Sequence, residues 1–305
     1  MKQVYGKGDD SMNHIRRSKG EIIFSAFNYF ILTVLMFLCF YPMLFVAFSS
    51  LSDSQLLTQH NGLLFKPLGF SLEAYKMVFR NPMIIRGYGN TLFLLIFGVT
   101  IQVFMTSLGA YFLSRKNVMW KTPIMFLITF TMFFSGGMIP FYLTIRDLKL
   151  TNSLWGLIIP FMISTYNMII MRTSFAGIPD SLEESAMLDG AGHFRILFTI
   201  VLPLSKAIIA VMVLYYGVSI WNGWFWASTL IRKREMYPLQ VILREILLSN
   251  DISSMSAGTD AGDQEAVGKT IKYATIIVAT LPILTAYPFL QKHFVKGVMI
   301  GAIKG

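Results

Sequence analysis

The stretch IIFSAFNYFILTVLMFLCFYPMLFVAF, residues 22–48, is almost entirely apolar and contains no charged side chain. An α-helix needs about 20 such residues to cross the hydrocarbon core of a bilayer. The apolar region of a cleavable secretory signal is shorter, about 7–15 residues. We therefore expect this stretch to form a retained transmembrane helix, which makes the chain an integral membrane protein.

The composition of the whole chain supports the same class. Of 305 residues, 54% are hydrophobic and only 14% are charged, against about 25% charged residues in typical soluble domains. The mean hydropathy is +0.58. The formal net charge is +10, but the basic residues are scattered, so no nucleic-acid partner is expected. The single cysteine, Cys39, excludes an internal disulfide.

Five further segments are long and apolar enough to span a membrane. The six predicted spans are Ile22–Phe48, Tyr88–Leu113, Pro123–Tyr142, Leu154–Met171, Leu204–Ile231 and Ile271–Leu290. Spans three and four contain Gly136, Gly137, Pro140 and Pro160, which membrane helices tolerate when neighbours satisfy the freed backbone groups. The predicted fold class is an all-α integral membrane protein with six transmembrane helices embedded in a lipid bilayer.

Basic residues near the ends of the spans set the expected orientation. With both termini inside, the cytoplasmic set contains Arg16, Arg17, Lys19, Arg115, Lys116, Lys121, Arg172, Arg195, Lys292 and Lys296. This orientation divides the chain into a cytoplasmic N-terminal segment (1–21), a six-span domain (22–290) and a cytoplasmic C-terminal tail (291–305).

A polar interruption, residues 172–203, separates spans four and five and lies in the cytoplasm in this orientation. Ser181 and Glu184 have the spacing of a capping box, which predicts a helix over Leu182–Leu188. Gly190 is expected to end this helix, because glycine adopts conformations that other residues resist.

A second amphipathic helix is predicted over His193–Leu202, and Pro203 suits the first turn of span five. Residues 172–203 are thus expected to form a helix–turn–helix that projects into the cytoplasm. A hairpin lying flat on the lipid surface is the alternative.

Span five also carries a stripe of polar and aromatic side chains. Tyr215, Ser219, Asn222 and Trp226 are spaced to fall on one helical face. Polar groups in a span usually face the protein interior or a wet cavity, and hydroxyl, amide and aromatic groups together suit a sugar. We expect this stripe, with Asn167 of span four, to line a substrate path. Trp226 could instead belong to an aromatic belt, and Asn167 could bond neighbouring helices.

The segment EESAMLDGA (183–191), followed by IVLP (200–203), resembles the EAA loop of ABC importer permeases, whose pattern is E-A-A-x-x-x-G with I-x-L-P downstream. Ser185 replaces the middle Ala. The matching positions are Glu184, Ala186, Gly190, Ile200, Leu202 and Pro203. The motifs LSRK, WNGWF and YPLQVILREI are similar to the carbohydrate-uptake branch of the family. Within that branch, the chain is most similar to permeases for complex, often acidic oligosaccharides.

The resemblance implies a permease subunit of an ATP-driven importer in a bacterial cytoplasmic (inner) membrane. Such a subunit forms half of the path for an oligosaccharide, here expected to be acidic, for example uronate-rich. The implied partners are a second homologous permease, two cytoplasmic ABC ATPase subunits that hold ATP and Mg, and an external solute-binding protein. This chain would bind no cofactor or metal and would not be an enzyme.

In the resembling family, the segment that corresponds to residues 172–203, here called the coupling loop, docks into a groove of the ATPase. The coupling residues that this implies are Glu183, Glu184, Ser185, Ala186, Asp189, Gly190, Ala191, Leu202 and Pro203. Glu184 would meet a basic group of the ATPase, and the tail 291–305 would also lie against the ATPase subunits.

An autonomous six-span protein, either a secondary carrier or a membrane scaffold, is the alternative function. A secondary carrier is expected to carry ionisable residues inside its spans and to have repeated halves. The predicted spans contain almost no ionisable side chains, and an autonomous protein leaves the coupling loop without a role.

Overall fold

The computed structural model describes residues 18–248, 267–285 and 288. Most of the predicted N-terminal segment 1–21, the end of the last predicted span and the whole tail 291–305 therefore lie outside the described residues. Regular structure within the described ranges is helical, and the pairing of Ser52 with Phe70 is an isolated antiparallel bridge. The all-α prediction is confirmed for this part of the chain.

The helices before the coupling loop are α1 (Lys19–Ser50), α2 (Ser54–Gln59), α3 (Glu73–Arg80), α4 (Pro82–Ser114, with a π-helical turn at Leu94–Gly98), α5 (Lys121–Phe133), α6 (Met138–Asp147) and α7 (Thr165–Ala176). The coupling loop contributes α8 (Asp180–Leu188) and α9 (His193–Leu204, with a π-helical turn at Leu197–Val201). The helices that follow are α10 (Lys206–Trp221), α11 (Phe225–Leu230), α12 (Leu239–Leu248) and α13 (Val267–Thr285). Short 3-10 turns lie at Leu154–Leu157, Ile159–Phe161 and Arg234–Met236.

Among the described residues, three helices, α1, α4 and α13, are long and apolar enough to cross a membrane unaided. Up to six crossings result if each of three bent helix pairs counts as one span. The bends are 111° between α5 and α6, 50° between the 154–161 turns and α7, and 87° between α9 and α10. Predicted spans three to five are therefore broken, and not continuous, helices.

The breaks in spans three and four coincide with their glycines and prolines. Gly137 has a φ of +84° and precedes α6, a conformation that glycine adopts without the steric cost of a Cβ atom. Pro160 lies in a 3-10 turn, and Ser164 then caps the N-terminus of α7. The residues that we expected within continuous spans thus mark the points where the chain changes direction.

Helix α1 presents nearly all of its apolar surface outward. Its N-terminus has a capping box in which Ser18 and Glu21 bond each other's backbone N–H groups, and its buried residues are Ser49 and Ser50 at the other end. Because an apolar surface of this length is unfavourable in water, the helix needs lipid or another protein around it.

Two apolar clusters join most of the remaining helices. The first joins the second half of α4 to α7, α9 and α10, with Met171, Phe175, Ile196 and Met212 fully buried. The second joins α3, the start of α4, α12 and α13. Since the first cluster includes side chains from the coupling loop, it sets the loop against the ends of the membrane helices.

Candidate functional sites

Helix α8 of the coupling loop begins two residues earlier than the sequence predicts. Its first residue is Asp180, Pro179 occupies the N-cap position, and no side chain caps the helix. The capping-box prediction is therefore wrong, because Ser181 lies inside the first turn. The Asp180 carboxylate instead accepts a hydrogen bond from Lys116, just beyond the end of α4.

Gly190 ends α8 in the predicted way. Its φ is +80°. The Gly190 N–H donates to the Met187 carbonyl at 3.0 Å, and the Ala191 N–H donates to the Ala186 carbonyl at 2.9 Å. This pair of bonds is a Schellman motif, which satisfies carbonyls at the helix end and needs a left-handed residue at this position. The turn fixes the angle between α8 and α9.

The two neighbouring glutamates of α8 lie in opposite environments. Glu183 is buried and forms an ion pair with Arg115, the residue that caps the C-terminus of α4, with 6% and 14% of the two side chains exposed. Glu184 is exposed. Arg115 was not among the site residues that the sequence suggested, although LSRK was part of the family resemblance.

Two further polar contacts hold the coupling loop to the end of α4. Lys116 pairs with Asp180 at the surface, and this hydrogen bond holds the pKa of the Asp180 carboxyl below its ordinary value. The Tyr111 hydroxyl lies 3.3 Å from Nδ1 of His193, the first residue of α9. Both helices of the loop therefore contact α4, or the two residues that follow it, through side chains.

The remaining predicted coupling residues divide into an outer and an inner group. Ser185, Asp189, Gly190 and Pro203 are exposed, whereas Ala186, Ala191 and Leu202 pack against the first apolar cluster. The outer surface is also apolar, since Leu188 is 90% exposed and Phe194 is 70% exposed. Further exposed apolar side chains on α8 are Leu182 and Met187.

Pro203 does not open span five. It lies in the last turn of α9, and the chain then bends by 87° at Ser205 before α10 begins at Lys206. The amphipathic helix α9 ends at Leu204 and not at the predicted Leu202, and it includes a π-helical turn at Leu197–Val201.

The polar stripe of span five is shorter than predicted. Helix α10 ends at Trp221 with Asn222 as its C-cap, and the Asn222 side-chain amide donates to the Val218 carbonyl at 3.0 Å. Ser219 and Asn222 are exposed, while Tyr215 packs partly against the first apolar cluster. Tyr215 and Ser219 thus lie on one helix, and Asn222 lies at its C-cap.

Trp226 does not belong to that helix. It lies in α11, and its ring is 4.7 Å from the Phe141 ring and 6.1 Å from the Phe161 ring, measured between centroids. The prediction that Trp226 continues the stripe is wrong, because the chain leaves the helix at residues 222–224.

Span four contributes a buried polar group. Asn167 lies in the first turn of α7, is 7% exposed, and donates its backbone N–H to Oγ of Ser164 at 3.4 Å. It is thus placed inside the bundle close to the break in this span.

Sequence reasoning missed Tyr216, the neighbour of Tyr215. Its hydroxyl lies 2.6 Å from Oγ1 of Thr106 and accepts the Ser164 N–H at 3.1 Å. Gln102 also reaches the break, donating to the Phe161 carbonyl at 3.0 Å. Polar side chains in three different spans were the available signal, since a broken membrane helix needs partners for its freed backbone groups.

Comparison with known proteins shows which family this chain belongs to. The family model for the inner membrane component of binding-protein-dependent transport systems matches residues 15–300. The polygalacturonan/rhamnogalacturonan transport system permease protein YtcP of Bacillus subtilis (strain 168) is 39% identical over 288 residues, which are 93% of this chain and 99% of that protein. Protein LplC of the same organism is 41% identical over 266 residues, covering 87% and 89% of the two chains.

A solved structure has the same fold. The crystal structure of a bacterial ABC transporter involved in the import of the acidic polysaccharide alginate contains a chain that superposes with a TM-score of 0.83 at 32% identity. The alignment covers 91% of this chain and 99% of that chain.

The family match over residues 15–300 and these relatives place the chain among transport proteins. The chain belongs to the family of inner membrane components of binding-protein-dependent transport systems. Subunits of this family are non-catalytic permeases of ATP-driven importers, and a separate ATPase subunit hydrolyses ATP. The transport system therefore includes an ATPase and a solute-binding protein as partners.

Proposed function

We propose that this chain is one of two permease subunits that together form the path for an acidic oligosaccharide. In this proposal it crosses the membrane six times, has both termini in the cytoplasm and docks its coupling loop on an ATPase subunit. The observation that supports an acidic substrate is the similarity to YtcP and to the alginate importer. The first is named for polygalacturonan and rhamnogalacturonan, and the second imports the acidic polysaccharide alginate. Three single helices and three bent pairs of suitable length support the six crossings.

The exposed surface of the coupling loop supports docking on a protein. Leu188 and Phe194 are large apolar side chains that stand out into solvent, and Glu184 and Asp189 are acidic neighbours. Contiguous apolar surface rimmed by polar groups is typical of protein interfaces. In this role the apolar side chains fill a groove of the ATPase, and Glu184 pairs with a basic group at its edge.

In this proposal the substrate path runs along the face of α10 that carries Tyr215 and Ser219 and ends at Asn222. Ser219, near the end of α10, and Asn222, its C-cap, are exposed in the isolated chain, although most of the helix is apolar. A polar strip of this kind suits a wet cavity better than lipid. One chain supplies only half of a channel wall, so the second permease would close the path opposite Tyr215, Ser219 and Asn222, with Asn167 deeper inside.

The end of the bundle away from the coupling loop carries positive charge. Asn152 joins two loops there, since its N–H donates to the Leu230 carbonyl at 2.8 Å and its Oδ1 accepts the Arg232 and Lys233 N–H groups. Within the described part of the chain, the ion pairs leave Lys149, Arg232 and Lys233 without an acidic partner. Such a field favours the approach of an anionic sugar.

The test of the substrate class is uptake by the complete transport complex in proteoliposomes. Oligogalacturonides should be imported, and neutral maltodextrins of the same length should not. A variant with Lys149, Arg232 and Lys233 changed to Gln should slow the import of oligogalacturonides, most strongly at low salt. Equal import of the neutral sugar would refute the proposed substrate class.

Single cysteines at 215, 219 and 222, in a Cys39→Ser background, test the path itself. Asn222→Cys should react with a water-soluble maleimide, and trapping the ATP-bound state should change the reactivity of all three positions. If all three remain unreactive in both states, the strip faces neighbouring helices and the path lies elsewhere.

A further inference from the structure

We propose that the buried ion pair between Arg115 and Glu183 transmits the movement of the coupling loop to α4. Span two, and not only the covalently attached spans four and five, would then follow the ATPase. The inference rests on the proposed docking of the coupling loop, and it assigns Glu183 a role different from that of Glu184. Arg115 and Glu183 act here as positioning residues.

The first support is the way Arg115 joins three elements. Its guanidinium pairs with Glu183 of α8, its Nη2 donates to the Phe175 carbonyl of α7 at 3.3 Å, and its Nε donates to Oγ of Ser114 in α4 at 3.0 Å. The guanidinium carbon also lies 4.8 Å from the centroid of the Tyr111 ring. Because both charges are largely buried, separating them would leave each without its compensating partner, which is strongly unfavourable.

The second support is that the contacts lie at different points of the coupling loop. Lys116 holds the N-terminus of α8 through Asp180, Arg115 holds its first turns through Glu183, and Tyr111 contacts the N-terminus of α9 through His193. A body attached at three such points cannot tilt against α4 without breaking a contact. The loop and the end of α4 should therefore move together.

The third support is the sharp bend between the coupling loop and span five. The chain bends by 87° between α9 and α10, and Ser205 at the bend is not helical. A helix transmits a displacement along its axis, whereas a sharp bend lets the two arms change their angle. The polar contacts to α4 thus provide a route that does not pass through this bend.

The test uses the complete complex in proteoliposomes with oligogalacturonides as substrate, and it measures sugar imported per ATP hydrolysed. In Glu183→Gln the ATPase should co-purify at the wild-type ratio, while sugar imported per ATP should fall at least threefold. Glu21→Gln is the matched control, because it changes an acid to its amide at the exposed N-terminus of α1, where Gln also serves in a capping box. Its ratio should equal that of the wild type.

Failure of this inference can be told apart from failure of the proposed docking. If Glu184→Lys leaves ATPase co-purification intact, the docking assignment is wrong. If Glu183→Gln has a wild-type ratio of sugar to ATP, the transmission role is wrong. A loss of thermal stability with an unchanged ratio would equally overturn it, because the pair would then only stabilise the fold.

A distance measurement tests the coupled movement directly. Spin labels at Asn117, just beyond α4, and Arg195, on α9, are both at exposed positions. In the wild type their separation should be the same in the nucleotide-free and ATP-trapped states. In Glu183→Gln the separation should broaden or shift between the two states. A wild-type separation that changes between the states would refute the rigid connection.

Discussion

Gly190→Val tests the turn on which the shape of the coupling loop depends. A Cβ atom added at residue 190 meets no atom within 4 Å, so the substitution introduces no steric clash with the rest of the protein. The cost comes from the backbone alone, because φ is +80° there. A left-handed conformation costs an L-residue about 1–2 kcal/mol, and the stiffness of a β-branched side chain puts valine at the upper end of this range.

If the turn opens to relieve this strain, two more interactions are lost. The bonds from the Gly190 and Ala191 N–H groups to the Met187 and Ala186 carbonyls contribute about 0.5–1.5 kcal/mol each. A change of 1–2 kcal/mol alters the ratio of ordered to disordered states by a factor of about 5–30. The last turn of α8 should therefore fray measurably while the membrane helices remain intact.

Amide hydrogen exchange on the permease in lipid nanodiscs measures this fraying. In Gly190→Val the protection of the amides of residues 186–191 against exchange should fall by about 5–30-fold, and in Gly190→Ala it should fall less. In Gly190→Asn the protection should stay close to that of the wild type, because Asn tolerates a positive φ. Gly192→Ala is the matched control, since Gly192 has a φ of −75° and equally open surroundings. Wild-type exchange in Gly190→Val, or an equal loss in Gly192→Ala, would refute the reasoning.

Three further substitutions have defined outcomes. Glu184→Lys reverses an exposed charge and should abolish co-purification of the ATPase without lowering the thermal stability of the permease; normal transport by this variant would contradict the proposal. Asn222→Leu should lower the transport rate of the complete complex while the solute-binding protein captures oligogalacturonides as before, and an unchanged rate would remove Asn222 from the path. Tyr216→Phe removes the hydroxyl that accepts a hydrogen bond from the Ser164 N–H and is hydrogen-bonded to Thr106. This loss should destabilise the permease by about 1–3 kcal/mol, whereas the control Tyr166→Phe, at an exposed position, should leave the stability unchanged. Equal unfolding midpoints for the two variants would show that the Tyr216 hydroxyl does not stabilise the break in span four.

Several features followed from the amino-acid sequence because they depend on local chemistry. A long apolar run has to be helical in a bilayer, since every backbone polar group must be satisfied within the segment, and α1 and α4 accordingly cover the first two predicted spans. The turn at Gly190 followed from the same kind of argument, because glycine permits the left-handed conformation at a helix end.

Hydropathy could not reveal where spans three to five bend. A window of apolar residues counts side chains and carries no information about the direction of the backbone. The break after Trp221 separates Trp226 from Asn222 although the sequence between them fits a helix. Packing of Trp226 against Phe141 and Phe161 decided its position.

The tertiary structure also decided which glutamate of the coupling loop turns inward. Glu183 and Glu184 are identical side chains on successive residues, about 100° apart around a helix, and the family resemblance implied a coupling role for both. Only the packing of α8 against the end of α4 brings one of them to Arg115 and leaves the other in solvent. Residues 115 and 183 are far apart in the chain, so their pairing depends on the fold as a whole.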